Sequence, residues 1–362
     1  MSLGISERLQ VAFAPPRYLL PRAAGIDISL SSIKAIILAS TSHGPIVDKT
    51  ADVRLPSGAF AEGEVINRAA VVGALREVMH KTGADSAHIS LPESKSYLFE
   101  TRAPGKNKRE WRIGVEQHLD ELIPLPPEET SFDVVRVGKP ENNEQPLAGV
   151  GFARRIVDET LSVFDEAGIT ALSLESETFS TARALLPHGD DSTVLIIDLG
   201  RTTTKITIVA GRVPRFATTV NIGGHSLTLA VQKHFGVTEA EARKIKIERG
   251  IVSAPGNEDY IAAMLSTVSA IKDEIERRLD YWQSKAALSG SHEPVTRAIL
   301  TGGNASVRGL PEYLEGVLHI PVSAGDVFTN LASRSYWLPE FDYAESLGYS
   351  TVIGLALRSY VP

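Results

Sequence analysis

A short pattern written twice constrains this chain more than any other feature. Asp27-Ile28-Ser29-Leu30-Ser31-Ser32-Ile33-Lys34 lies over Asp198-Leu199-Gly200-Arg201-Thr202-Thr203-Thr204-Lys205 without a gap, at a constant offset of 171 residues. Each copy is an apolar strand ending in Asp, a Ser/Thr-rich turn, and a Lys leading into a second apolar strand. Repetition at about half the length of a 362-residue chain predicts two related domains rather than a solenoid.

The unit has the chemistry of a polyphosphate grip. Backbone N–H groups and small hydroxyls in the turns (Ser29, Ser31, Ser32; Gly200, Thr202, Thr203) suit anionic oxygens. Lys34 and Lys205 add compact positive charge, and Asp27 and Asp198 can hold a hydrated Mg²⁺. One copy alone reads as an ordinary β-hairpin with a polar turn; two in matched order favour a phosphate clamp. Three further features lie in the second half. Gly223-Gly224 follows a strand and opens a helix, so its bare backbone can approach a ligand. Glu241 and Lys244 share a helix face, where a surface ion pair is the plainer reading. Thr301-Gly302-Gly303-Asn304 is a glycine turn on which a flat ring can lie.

Residues 1–22, with Pro15, Pro16 and Pro21, read as an N-terminal arm holding a short helix at 5–13. Residues 23–86 and 170–187 form the first lobe, with a helix over Val65–Lys81. Residues 87–169 carry four expected strands (87–91, 97–101, 132–137, 148–152) and two helices (108–122, 155–167), enough for an inserted α+β subdomain. Pro187-His188-Gly189-Asp190-Asp191 is a linker into a second lobe over 188–350, and a closing helix at 351–362 is expected to pack back on the first lobe.

Composition narrows the chemistry. Zero cysteines exclude disulfides, thiolate metal sites and a Cys nucleophile, and a net charge of −7 gives no reason to expect nucleic acid. No apolar run reaches the roughly 20 residues of a membrane span, and the first residues lack an export signal, so a cytoplasmic protein is expected. The cluster Arg102, Lys106, Lys108, Arg109 and Arg112 is broken by acids and reads as a solvated loop.

Taken in order, these motifs resemble the actin-like ATPase superfamily, a duplicated α/β (ribonuclease H-like) fold. Asp27–Lys34 and Asp198–Lys205 look like its two phosphate loops. Gly223, Gly224, Glu241 and Lys244 look like the ribose and adenine wall, and Gly302, Gly303 and Asn304 like the adenosine loop. Glu177 falls where the connecting segment carries a catalytic acid, which with Asp27 and Asp198 completes the implied catalytic set. Within that superfamily the chain is most similar to the PilM family of type IV pilus assembly proteins, through Gly25-Ile26-Asp27-Ile28, Ser90-Leu91-Pro92-Glu93, Glu177–Leu185 and Leu300–Leu314. The insertion lies where PilM and FtsA carry an extra subdomain. The chain's end directly after its closing helix favours PilM over FtsA, which usually carries a membrane helix there.

The resemblance implies binding of ATP and Mg²⁺ with at most slow hydrolysis. It also implies a groove beside the inserted subdomain that holds the N-terminal cytoplasmic peptide of a PilN-like membrane protein. The protein would then sit at the inner face of the membrane through its partner, monomeric or weakly self-associating, with the pilus motor ATPase as a second candidate partner. An FtsA-like filament former, and less readily a small-molecule kinase, are the alternatives. Two departures stand out. Ser29-Leu30 replaces the common Gly-Ser of the first loop, and Arg201 occupies a turn position that is usually small or polar.

Overall fold

The computed structural model describes residues 23–289 and 293–360; the expected helix at 5–13, the rest of the arm and the last two residues lie outside them. The repeat is visible first as register. β1 (Ala23–Ile28) pairs antiparallel with β2 (Ser32–Thr41), with Asp27 opposite Lys34. β11 (Thr193–Leu199) pairs in the same way with β12 (Thr204–Ala210), with Asp198 opposite Lys205. Both turns close alike: Ser29 N–H donates to Ser32 O and Gly200 N–H to Thr203 O, each at 2.9 Å.

The duplication extends to whole sheets. The first, in order β10-β6-β1-β2-β3, adds β3 (Gly44–Arg54), β6 (Ser86–Leu91) and β10 (Thr170–Ser176). The second, in order β13-β12-β11-β14-β15, adds β13 (Val213–Val220), β14 (Arg297–Thr301) and β15 (Val322–Ala324). Each runs three strands parallel and then turns back through an antiparallel meander. Buried on both faces, their central strands are near-continuous apolar runs such as Val194-Leu195-Ile196-Ile197.

Helices cover these sheets. α1 (Arg68–Thr82) starts three residues after the expected Val65, because Asn67 caps it and Val65 belongs to the small hairpin of β4 (Phe60–Ala61) and β5 (Glu64–Val65). The expected helix over 108–122 is two, α2 (Lys108–Glu116) and α3 (Leu119–Leu122). α4 (Arg154–Ala167), α5 (Glu177–Leu185), α6 (Gly224–Phe235), α7 (Glu239–Arg249), α8 (Glu258–Ser289) and α9 (Leu310–Leu318) follow. After α10 (Tyr343–Ser346) comes α11 (Ser350–Leu357), every residue of which is buried. α11 lies directly on β1 and α5: a Cβ on Gly25 would meet Val352 O at 2.1 Å, and one on Gly354 would meet Ser180 O at 1.8 Å.

The inserted unit is smaller than the sequence suggests. Its sheet, in order β7-β9-β8, has three strands: β7 (Ser96–Pro104), β8 (Thr130–Arg136) and β9 (Glu144–Ala153). The expected fourth strand, 87–91, is β6, which lies inside the first sheet between β10 and β1. α4 also belongs to the first lobe, since Val163 and Phe164 share a core with Ile26, Val71 and Ile89. The insertion therefore spans residues 96–153, with a separate core around Phe99, Leu119, Ile123 and Leu147.

His88 on β6 ties the closing segment down. Its Nδ1 bonds Ser173 Oγ and its Nε2 bonds Ser359 Oγ, both at 2.8 Å. Burial, aided by the nearby Arg358 guanidinium, lowers its pKa from 6.5 to about 4. The native state thus favours the neutral ring, so this contribution to stability is present above pH 6.5 and is lost as pH falls from 6.5 towards 4. Thermal unfolding across that window should show a steeper loss for the native sequence than for His88→Gln. Parallel curves would refute it.

Candidate functional site

The two hairpin turns and the start of α5 bring four charged side chains together. Asp27 and Asp198 are the penultimate residues of β1 and β11; Glu177 is the first residue of α5, behind the N-cap Ser176. Lys205 Nζ contacts Glu177 Oε2 and lies 3.7 Å from Asp198 Oδ2. Burial pushes the Glu177 carboxyl up to about 7; the Lys205 ammonium opposes this, and Asp27 and Asp198 add to it. Burial alone would lower Lys205, but Glu177, Asp198 and Asp27 together hold its ammonium above its ordinary value. Three carboxyl groups facing one ammonium leave an excess of negative charge, which suits a divalent cation with an all-oxygen shell. Among the described residues no three acidic or imidazole side chains form a ready metal cage.

The first hairpin uses its residues differently. Lys34 turns away from the carboxylates: its Nζ donates to Gly348 O at 2.8 Å and lies 4.5 Å from the centre of the Tyr349 ring. The same segment accepts from the third turn, through Thr301 Oγ1 and Gly302 N–H to Leu347 O at 3.0 and 2.9 Å. Ser29 Oγ donates to Ser32 O, so it closes its own turn, while Ser31 is half-buried and its carbonyl accepts from Leu55 N–H. In the second turn Thr202 is exposed and Thr203 half-buried, beside the exposed Arg201.

Most of the glycines serve close approach between backbones. A Cβ on Gly223 would lie 2.7 Å from Thr203 N, and one on Gly224 would lie 2.0 Å from the Asn304 side chain. Gly302, at φ +90°, presses on the Asp198 carboxyl and Leu199 O; Gly303 alone of these four faces open space. A side chain at Gly223 or Gly224 would thus collide with the second hairpin or with Asn304.

Glu241 and Lys244 find their partners on α7 itself or at its N-cap. Glu241 forms a capping box with Thr238 at the start of α7, and exposed Lys244 lies 3.8 Å from Glu248. The cation that reaches the turns is Lys246, two residues further along and 4% exposed. Its Nζ donates to Asn304 Oδ1 at 2.6 Å and Gly224 O at 3.1 Å, while Asn304 Nδ2 donates to Gly200 O at 2.9 Å. Burial, and then repulsion from Arg243, lower its pKa to about 8. Sequence reasoning missed Lys246; the available signal was its place among apolar positions of α7.

Two groups from β6 and its extension also border the cluster. Ser90 Oγ donates to Asp27 Oδ1 at 2.5 Å, and buried Glu93 accepts from Thr219 Oγ1. The basic cluster is mostly paired, with Arg102 to Glu141 at 2.9 Å and Lys108 to Asp133 at 2.6 Å.

Two like sheets with facing hairpins over a shared acidic cluster define an actin-like ATPase fold, and solved structures agree. The chain superposes on the PilM-PilN type IV pilus biogenesis complex with a TM-score of 0.76 and 19% identity, over 94% of this chain and 99% of that one. MreB5 of Spiroplasma citri bound to ADP gives a TM-score of 0.55 at 11% identity, over 94% of this chain and 99% of that one. Among curated proteins, the cell division protein FtsA of Neisseria meningitidis serogroup B is 21% identical over 342 residues, covering 83% of this chain and 82% of that protein. The sequence profile described as type IV pilus assembly protein PilM matches residues 25–360. The chain belongs to that family and is an actin-like protein of type IV pilus assembly. Among the described residues no helix is long and apolar enough to cross a membrane.

Lys246→Met removes a buried donor from Asn304 and Gly224 and should lower stability by about 2 kcal/mol in urea unfolding. Lys244→Ala should stay within about 0.5 kcal/mol of the native sequence. The opposite order would reject the bridging role of Lys246.

Proposed function

We propose that the chain binds Mg-ATP between its lobes and holds the N-terminal tail of a PilN-like membrane protein in a groove beside the inserted sheet. The observation that carries the nucleotide reading is the convergence of Asp27, Asp198, Glu177 and Lys205 between two hairpins of identical register. Asp27 and Asp198 would hold the hydrated cation, which screens the phosphates' charge. Thr202, Thr203 and the turn N–H groups would receive phosphate oxygens, and Gly303 offers bare backbone to the nucleoside. Glu177 is the acid placed to orient a water, and its raised pKa together with its contact to Lys205 fits slow turnover at most.

The partner reading rests on the likeness to a PilM-PilN complex and on a small, partly apolar groove within the first lobe, between β1, the β4–β5 hairpin and α4, close to where the insertion joins. Ile28, Phe60, Val65, Pro92, Ile156 and Val163 line it, and Glu64 at its rim is bound by Arg155 and Lys95. A short tail lying across its mouth would gain affinity by seating one apolar side chain there. Such a complex would place the protein at the inner face of the membrane through its partner, in a position to link the pilus motor ATPase to the membrane assembly.

Asp27→Ala and Asp198→Ala should each weaken Mg-ATP binding by about tenfold or more in calorimetry, equal to about 1.4 kcal/mol, and keep the fold. Glu177→Gln should spare binding and lower any hydrolysis. Unchanged affinity in both Asp variants rejects the cleft. A synthetic PilN-like tail that fails to bind the full chain by fluorescence anisotropy rejects the groove.

A further inference from the structure

The short segment Ser90 to Glu93 connects the nucleotide cleft to the groove. Ser90 donates to Asp27 Oδ1 at 2.5 Å, and Ser90 and Pro92 also line the groove. On the neighbouring strand, alternation sends Asp27 to the charged cluster while the next residue, Ile28, lines the groove. Glu93, 5% exposed, accepts from Thr219 Oγ1, and Thr219 on β13 is the cross-strand partner of Lys205. One short segment thus touches the first hairpin, the second lobe and the proposed partner site.

We infer that Ser90 and Glu93 are positioning residues that couple the two sites, so that Mg-ATP and the partner tail each raise the other's affinity. The inference rests on the cleft and groove assignments made above and goes beyond them. A phosphate-bound cation on Asp27 fixes the carboxylate that Ser90 grips. Ordering at Lys205 fixes Thr219 and, through it, Glu93. A groove wall already ordered costs the tail less on binding, which makes the coupling positive. Linkage then requires the same factor in both directions. Burial pushes the Glu93 carboxyl above its ordinary value, with the Thr219 hydroxyl opposing, so the contact works with a protonated or an ionised acid.

The test uses the full chain, a labelled PilN-like tail and a non-hydrolysable Mg-ATP analogue. Tail affinity is measured with and without saturating nucleotide, and nucleotide affinity with and without saturating tail. The expected result is an increase of about fivefold or more, equal in both titrations. Thr219→Val should leave each single affinity within about twofold of the native value and bring the coupling factor towards one. Thr219→Ser, which keeps the hydroxyl, should restore it. Ser90→Ala should reduce coupling as well and provides the same test should Thr219→Val not fold. Independent binding of both ligands to the native chain overturns the inference, as does coupling that persists in both variants. A flat nucleotide titration overturns the cleft assignment, a flat tail titration overturns the groove assignment, and either takes the coupling with it.

Discussion

The site depends on one ammonium group. Lys205 reaches from the second hairpin into a place where Glu177, Asp198 and Asp27 would otherwise repel one another. Removing the ammonium from such a buried cluster would leave uncompensated negative charge, so the three carboxyl groups converge because Lys205 stands among them. The cluster's members come from β1, β11, β12 and the first turn of α5, so neutralising that charge fixes the two lobes in one relative geometry. A nucleotide bound there would act on the same geometry.

Duplication supplied two copies of a hairpin, and the tertiary structure has given them different tasks. The second hairpin's Lys205 faces carboxylates, whereas the first hairpin's Lys34 bonds Gly348 and covers Tyr349. The difference follows from the neighbours. α11 and the turn before it lie against the first sheet, and the insertion departs from the end of β6. The closest approaches, at Gly25 and Gly354, show how little space separates α11 from β1 and α5.

Much of the fold was legible because its signals are local. Apolar runs, turn residues and the offset of 171 are written in consecutive positions, and the actin-like fold they suggest is the one found. Errors arose where a segment's allegiance depends on its neighbours. Residues 87–91 read as a strand and are one, yet nothing in them says that β1 and β10 are their partners rather than β7. The break between α2 and α3 and the late start of α1 likewise depend on contacts outside the segment.

The sequence by itself determined the repeat, its strand–turn–strand form, the absence of cysteine chemistry and, through motif order, the family. Only the tertiary structure decided which charges meet. Lys244 and Lys246 look alike on a helix, but the side chain two positions along points inward to Asn304 and Gly224, and its neighbour points to water. Ser90 and Glu93 acquire their places only when β6 lies beside β1 and the residues that follow β6 meet β13. Hydrogen bonds and desolvation act over a few ångströms between residues far apart in the chain, and no local pattern records those distances.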